Sequence, residues 1–326
     1  MMVNSTREQQ EYLDTYGTAL KGIRAVLDRP TEPVGSTVAI AGMCLALSEV
    51  LVPTSNSGYK THLRGVTAMM QSRGPTAFNR GVAHLMFVGV RPLMVLDAIL
   101  RRKKTFLTDE VWQTAPFSIH PASSMQVLLG HAATIPSLLE AMEEGRTNLQ
   151  DSRTGFLETL ARLQDWEDDF ARDGTSFQQI NPAELDLATG QERLPNPCFH
   201  FVDVSHANSL THCWALRIVC LLQLSKLEAL LVASETVVCS PLEKRCRDVK
   251  ILATKICRGL PYLLQTEMRL YGSMSAGFPL HIVSESVLNL QLIDCYLNSW
   301  CTAIKDQLQS QRIALYEEMT ESRTFN

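Results

Sequence analysis

The sequence predicts an all-α fold, an irregular bundle of many helices. Apolar residues recur at three- and four-residue steps through most of the 326-residue chain, and no alternating strand or hairpin pattern competes with them. Hydrophobic residues make up 45% of the sequence, which is enough to build a large buried core. We therefore expect a single helical domain over residues 1–326.

Helices are predicted wherever apolar residues recur at three- and four-residue steps between the Pro and Gly residues that mark helix ends. Pro92 predicts a kink, Ser55 and Ser57 are N-cap candidates, and Pro241 and Pro279 suit first helical turns. A polar stretch with Gly, Pro and Asn at 173–197 predicts a surface loop that is partly mobile. The predicted helices span residues 7–27, 34–52, 59–73, 76–102, 121–145, 153–172, 203–236, 240–272 and 277–318.

Composition and charge limit the binding partners and the cellular compartments that we expect for the protein. The formal net charge of -4 gives no general attraction to phosphate backbones, so nucleic acid is not the default partner. The nine cysteines form no C-x-x-C pair, which predicts reduced residues in the nucleus or cytoplasm. The N-terminus lacks the apolar core of a secretory signal, and charged residues interrupt the most apolar runs, so no membrane span is expected.

The densest set of chemically active side chains lies between residues 198 and 217. If the chain is helical from 203 onward, Asp203 lies one turn before His206 and can orient its imidazole for acid/base catalysis, with His212 as a further candidate. The alternative is structural: Asp203 caps the helix and the histidines bind backbone carbonyls. The spacing of the histidines does not favour zinc, and neither a metal nor a cofactor is expected.

Four residues are candidate ligand contacts. Trp214 and Arg217 continue the same segment, and Arg91 stands inside an apolar helix where a buried guanidinium needs an anionic ligand or an internal partner such as Asp97. His281 is spaced to contact Glu285 beside a predicted turn at 271–277. That pair also fits an ordinary first helical turn.

Two charge runs are interpreted as ordinary helix features. The acidic residues Asp165, Glu167, Asp168 and Asp169 predict a solvated face, and the basic run 101–104 predicts a helix C-terminal cluster. No phosphate loop, nucleophile elbow or zinc-protease helix occurs in the sequence. A shaped helical cavity can still promote isomerisation or cyclisation without such a motif.

Several segments resemble the regulatory domain of fungal zinc-cluster transcription factors. The resemblance lies in 58–65 and 71–75, in 101–107 with Trp112 and Pro116, in 201–214, and in 256–263 with Gly272, and it covers about residues 35–320. It implies an all-helical domain that governs activation, repression or effector response. The six-cysteine zinc cluster of that family has no counterpart in this sequence, so we expect no direct sequence-specific DNA binding.

Two hypotheses follow for function. The first is a regulatory protein without a DNA-binding zinc cluster, which binds protein partners and a small-molecule effector. The alternative is an isomerase, cyclase or lyase recruited for a hydrophobic secondary metabolite, with His206 and Asp203 as acid and base and Arg91 as anion binder. A homodimer is left open.

Overall fold

The protein is an all-α, irregular multi-helix bundle, which confirms the predicted fold class, and the part of the chain that the structure describes also contains one short β-sheet. The computed structural model describes residues 6–28, 36–55, 57–172, 177–187, 190–233, 242–289 and 295–310. The chain divides into two compact units, residues 1–94 with 109–121 and residues 95–108 with 122–326. One domain over residues 1–326 stays a prediction.

In the first unit, α2 packs against α1 and α3. An aromatic core of Phe78, Phe87 and Trp112 has ring centroids 5.7–6.0 Å apart. Residues 76–78, predicted to begin the long fourth helix, belong to a separate 3-10 turn, Pro75–Phe78, and α4 begins only at Gly81, whose positive φ interrupts the helical backbone there. The helices are α1 Thr6–Leu27, α2 Ser36–Leu51, α3 Gly58–Arg73, α4 Gly81–Arg101, whose last residues belong to the second unit, and α5 Glu110–Thr114.

A buried carboxylate ties α1, α2 and α3 together. Glu49 is fully buried and accepts hydrogen bonds from the Thr54 amide at 2.8 Å, from the Thr54 hydroxyl at 2.6 Å and from the Tyr16 hydroxyl. His62 Nε2 lies 2.6 Å from the Tyr16 hydroxyl oxygen. Burial alone raises the pKa of Glu49, but the hydrogen bonds from Thr54 and Tyr16 outweigh it and lower that pKa. The network therefore stabilises an ionised carboxylate inside the unit.

The second unit is built around α9, on which α8, α10 and α11 pack. This helix is 30 residues long, and most of its residues are buried. Apolar side chains on nearly every face explain this position, since such a helix needs neighbours all round. The helices are α6 Ser124–Ala132, α7 Ile135–Glu143, α8 Leu149–Phe170, α9 Val204–Ala233, α10 Leu242–Leu263, α11 Arg269–Asn289 and α12 Cys295–Ser310.

Several predicted helix boundaries are wrong, and prolines explain one of them. The segment 121–145 forms two helices because Pro136 stands in the first turn of α7, where its missing N–H is tolerated. The break between α10 and α11 falls at 264–268, so the expected turn at 271–277 is helical and Pro279 lies inside α11. Ser57 precedes α3 but makes no capping hydrogen bond through its side chain. Residues 34–35, 234–236, 240–241, 290–294 and 311–318 of the predicted helices lie outside the described residues.

The region predicted as a loop at 173–197 contains a strand. Strand β1 Phe177–Ile180 pairs antiparallel with β2 Cys198–Phe201, with Phe177 opposite Phe201. The Phe177 and Phe199 rings lie 4.2 Å apart between centroids. Four-residue strands are too short for a clear period-two pattern, which is why the sequence did not reveal them.

Most cations of the basic run 101–104, at the end of α4, form ion pairs within the second unit. Arg101 Nε lies 2.7 Å from Asp97 Oδ2, and Arg102 Nε lies 2.5 Å from Glu143 Oε1. Lys103 lies within 3.4 Å of two carboxylates, those of Glu140 on α7 and of Glu144 directly after that helix. Helix α4 itself is long and apolar enough to cross a membrane by length and composition, and half of its most apolar window is buried inside the protein.

Candidate functional site

A buried glutamate on α8 joins three helices of the second unit. Glu167 accepts a hydrogen bond from Trp214 Nε1 at 2.8 Å and pairs with Arg217, both on α9. Lys255 on α10 donates to the same carboxylate, with Nζ 3.1 Å from Oε1. Trp214 and Arg217 are three residues apart, so both reach α8 from one face of α9. Two cations therefore share one buried carboxylate.

A groove of about 500 Å³ opens beside this cluster, between α8, α9 and α10. Sites of about 300–1,000 Å³ with an apolar lining and a few polar groups are typical for small ligands. Its walls are mixed in this way, since half of the lining residues are apolar. The apolar ones are Leu157, Leu160, Ala161, Leu221, Ile251 and Leu252, and the polar ones are Gln164, Glu167, Asp168, Arg217, Asp248 and Lys255.

The charges of the groove are unevenly arranged. Arg217 and Lys255 face the buried Glu167, and the Nε atom of Arg217 is buried with no hydrogen-bond partner. The Lys255 ammonium also lies 5.3 Å from the centroid of the Trp214 ring, within cation–π range. Asp168 is exposed and Asp248 half-exposed. The inner wall, which consists of Glu167, Arg217 and Lys255, thus carries two cations against one carboxylate, and Asp168 and Asp248 bring two more carboxylates to the rest of the lining.

Asp203 and His206 lie at the start of α9. The Asp203 carboxylate accepts a hydrogen bond from the His206 amide at 2.8 Å, and His206 Nδ1 lies 2.9 Å from the same oxygen. Burial raises the pKa of Asp203, but the hydrogen bonds from the His206 side chain and from the His206 and Ser205 amides outweigh it and lower that pKa. This geometry matches a helix cap, and neither residue lines the groove. Their catalytic roles stay a prediction.

Replacing Asp203 with alanine is expected to lower the free energy of unfolding by about 1 kcal/mol at pH 7, because the first turn of α9 loses its cap. Asp203→Asn keeps an acceptor and should lose only a fraction of this stability.

Because the pKa of Asp203 is lowered in the folded protein, the ionic part of the stabilisation is present above the unfolded pKa of about 3.9 and is lost as pH falls through the folded value. Urea unfolding of the variants between pH 7 and about 2.5 measures both effects, and equal stability of Asp203→Ala and the unsubstituted chain at pH 7 would contradict the cap.

The third catalytic candidate, His212, is buried in α9. Its Nδ1 lies 2.8 Å from the Asn208 carbonyl oxygen, and its ring stacks on Phe278 with centroids 5.9 Å apart. Burial lowers the pKa of His212 to about 4, so the ring is neutral at pH 7. It is not among the groove lining residues.

The predicted ligand contacts separate into two groups. Arg217 lines the groove, and Trp214 donates a hydrogen bond to Glu167 in the same lining, so the structure brings these two residues together. Arg91 lies in the first unit, buried 5.4 Å from the centroid of the Phe117 ring, and burial lowers the pKa of Arg91 to about 10. His281 is buried on α11, as is Glu285. Neither Arg91 nor His281 lines the groove.

The interpretation of the acidic run as a solvated face is wrong for Glu167, which is 8% exposed. Asp165, Asp168 and Asp169 are exposed, as predicted. The spacing in the sequence did indicate that Glu167 is buried, because it lies four residues after the buried Leu163 and therefore on the same face of the helix. Lys255 gave no comparable signal, since a lysine in a long amphipathic helix is ordinarily solvated.

A second cleft, of about 400 Å³, lies beside α6 and α8. Its lining includes the stacked rings of Trp166 and Phe170, whose centroids are 4.7 Å apart, together with His131. Burial, and then the nearby charge of Arg162, lowers the pKa of His131, so its ring is neutral at pH 7. The His206 ring lies 5.0 Å from that of Phe170 but does not line the cleft. Across the described residues, no group of three or more His, Cys, Asp or Glu side chains is arranged to hold a metal ion.

Comparisons with known proteins leave function to be argued from the site. No protein-family model matches the chain, and no solved structure matches it. The chain is similar to an uncharacterized protein of Emericella nidulans, with 25% identity over 115 residues. That similarity covers 34% of this chain and about a quarter of the length of the relative.

Proposed function

We propose that this chain is a regulatory domain of the kind found in fungal zinc-cluster transcription factors, and that it acts by binding a small effector and protein partners. The observation that carries the proposal is the groove between α8, α9 and α10, where apolar side chains surround a charged cluster. Its volume of about 500 Å³ suits a small organic molecule. The sequence resemblance at residues 58–75 and the all-α fold support the choice of family.

The position of the groove suits regulation. A ligand there contacts three helices whose side chains also meet at Glu167, so a ligand that binds one arrangement of α8, α9 and α10 more tightly than another stabilises that arrangement. Such a difference in affinity between conformations is all that an effector needs to alter the binding of a partner protein.

Binding is favoured over catalysis by the surroundings of the histidine candidates. His206 lies against the Asp203 cap, and His212 is buried against Phe278, away from the groove lining. A general acid or base must come within hydrogen-bond reach of its substrate. Direct DNA binding is not favoured either, because Arg101, Arg102 and Lys103 are already in ion pairs with carboxylates.

A neutral fluorescent probe tests whether the groove binds small molecules. N-phenyl-1-naphthylamine gains fluorescence when it leaves water for an apolar site, so it should bind the full chain. Ala161 is an exposed residue of the groove lining, and Ala161→Trp fills the groove from its open side. We expect this variant to weaken probe binding at least about tenfold, because the site loses volume.

Thr154→Trp is the matched control for that experiment. Thr154 is exposed on the same helix but does not line the groove, so this variant adds the same apolar surface elsewhere. It should bind the probe as the unsubstituted chain does. No saturable binding, or equal binding by all three proteins, would contradict the proposed function.

A further inference from the structure

We propose that the ligand of this groove is an amphipathic monocarboxylate, whose acid group binds Arg217 and Lys255 and whose apolar chain lies along the leucines. The inference rests on the proposed function, because it names the class of molecule that the same groove takes. It follows from the unequal number of cations and carboxylates on the inner wall.

The inner wall has donor capacity that Glu167 does not use. A guanidinium carries five N–H donors and an ammonium three, whereas one carboxylate serves both groups here. The side chains of Arg217 and Lys255 are partly exposed, so donors that Glu167 leaves over remain within reach of a ligand. A second carboxylate in the groove would accept from these donors and add a second negative charge beside the two cations.

Two further carboxylates in the lining limit how much negative charge a ligand can carry. Asp168 and Asp248 also line the groove, so its residues include three carboxylates and two cations in all. A single carboxylate can be held between Arg217 and Lys255, whereas a phosphate with close to two charges is repelled by the aspartates. Nucleotides and phosphate esters are therefore disfavoured.

The apolar residues of the lining favour a ligand with an apolar body. Leu157 and Leu160 on α8 face the groove together with Leu221 on α9 and Leu252 on α10. An unbranched chain can lie against these side chains while its acid group meets the charged cluster. Each methylene that is buried in this way should tighten binding about fourfold, until the groove is filled.

Competition for the groove distinguishes this class of ligand from others. N-phenyl-1-naphthylamine bound to the full chain is displaced at pH 7.5 by decanoate, decanol, decylamine or decyl phosphate, each kept below the concentration at which it forms micelles. We expect decanoate to compete at least about tenfold more tightly than the other three. Ala161→Trp should weaken decanoate binding as it weakens binding of the probe.

Lys255→Met tests the charge directly. It keeps an unbranched side chain beside Trp214 and removes the ammonium, so the preference for decanoate over decanol should fall to about one while decanol still competes. Lys250→Met is the matched control, because Lys250 is exposed on the same helix and does not line the groove. It should keep the preference.

The outcomes separate the inference from the proposed function. If all four compounds displace the probe equally, or decylamine or decyl phosphate is tightest, the monocarboxylate inference is overturned and the groove remains a binding site. A decanoate preference that survives Lys255→Met also overturns it. If calorimetry detects no binding of the probe or of any of the four compounds, both proposals are wrong.

Discussion

Glu167→Ala is expected to lower the free energy of unfolding by about 3–5 kcal/mol, because removal of one partner from a buried ion pair leaves uncompensated charge behind. In this protein the loss leaves two cations, Arg217 and Lys255, without the carboxylate that both of them contact. The buried N–H of Trp214 loses its acceptor as well, and an unsatisfied buried donor is costly in itself. Urea unfolding followed by tryptophan fluorescence and by circular dichroism measures the change.

Glu158→Ala is the matched control on the same helix. Glu158 pairs with Arg162 on the surface, where both side chains are more than half exposed. Exposed pairs contribute about 0–1 kcal/mol, so this variant should stay within that range. Similar losses in the two variants would show that Glu167 is not the electrostatic centre of α8, α9 and α10.

A triple variant separates the ion pairs from the packing. If Glu167, Arg217 and Lys255 are all replaced by methionine, no charge remains buried without a partner. Apolar replacements of whole buried ion clusters are often neutral or stabilising. The triple variant should therefore recover most of the stability that Glu167→Ala loses, while it removes any preference of the groove for carboxylates.

The helical fold was predictable because most of its helices carry long apolar periods. Helix α8 was predicted from a stripe that includes Phe156 and Leu163, and both side chains are fully buried in the structure. Helix α9 was predicted over nearly its whole length because its apolar residues continue without a Pro or Gly. The prediction failed where a long apolar segment divides into two helices. At Pro136, for example, local backbone chemistry decides where the second helix begins.

The candidate site was only half predictable, because it depends on three helices at once. Trp214 and Arg217 stand out in the sequence as a large aromatic residue and a cation inside an apolar helix. Glu167 and Lys255 acquire their roles from the packing of α8 and α10 on α9, which no single segment encodes. The pairing of β1 with β2 is likewise a contact between distant residues, with Phe177 opposite Phe201.

Gly272→Ala is expected to cost about 3 kcal/mol or more, because a methyl group at this position has no room. Gly272 lies in the first turn of α11, where an added Cβ would stand 1.9 Å from the backbone oxygen of Leu263 and 2.6 Å from Cβ of Met268. A side chain in the way can rotate, but a backbone carbonyl moves only with its helix. The variant must therefore displace the end of α10 relative to α11, and such overpacking is destabilising.

Two other glycines give a graded comparison by thermal and urea unfolding. At Gly259 an added Cβ would meet side-chain atoms of Phe201 and Thr211 at 3.1 Å and 3.2 Å, which can yield, so Gly259→Ala should cost less than Gly272→Ala. Gly65 has no atom within 4 Å of such a Cβ, and alanine favours a helix, so Gly65→Ala should stabilise the protein by about 0.5–1 kcal/mol. The order of stability should therefore be Gly65→Ala above the unsubstituted chain, then Gly259→Ala, then Gly272→Ala. If Gly272→Ala is as stable as Gly259→Ala, the close approach of α11 to the end of α10 is not a feature of the folded protein.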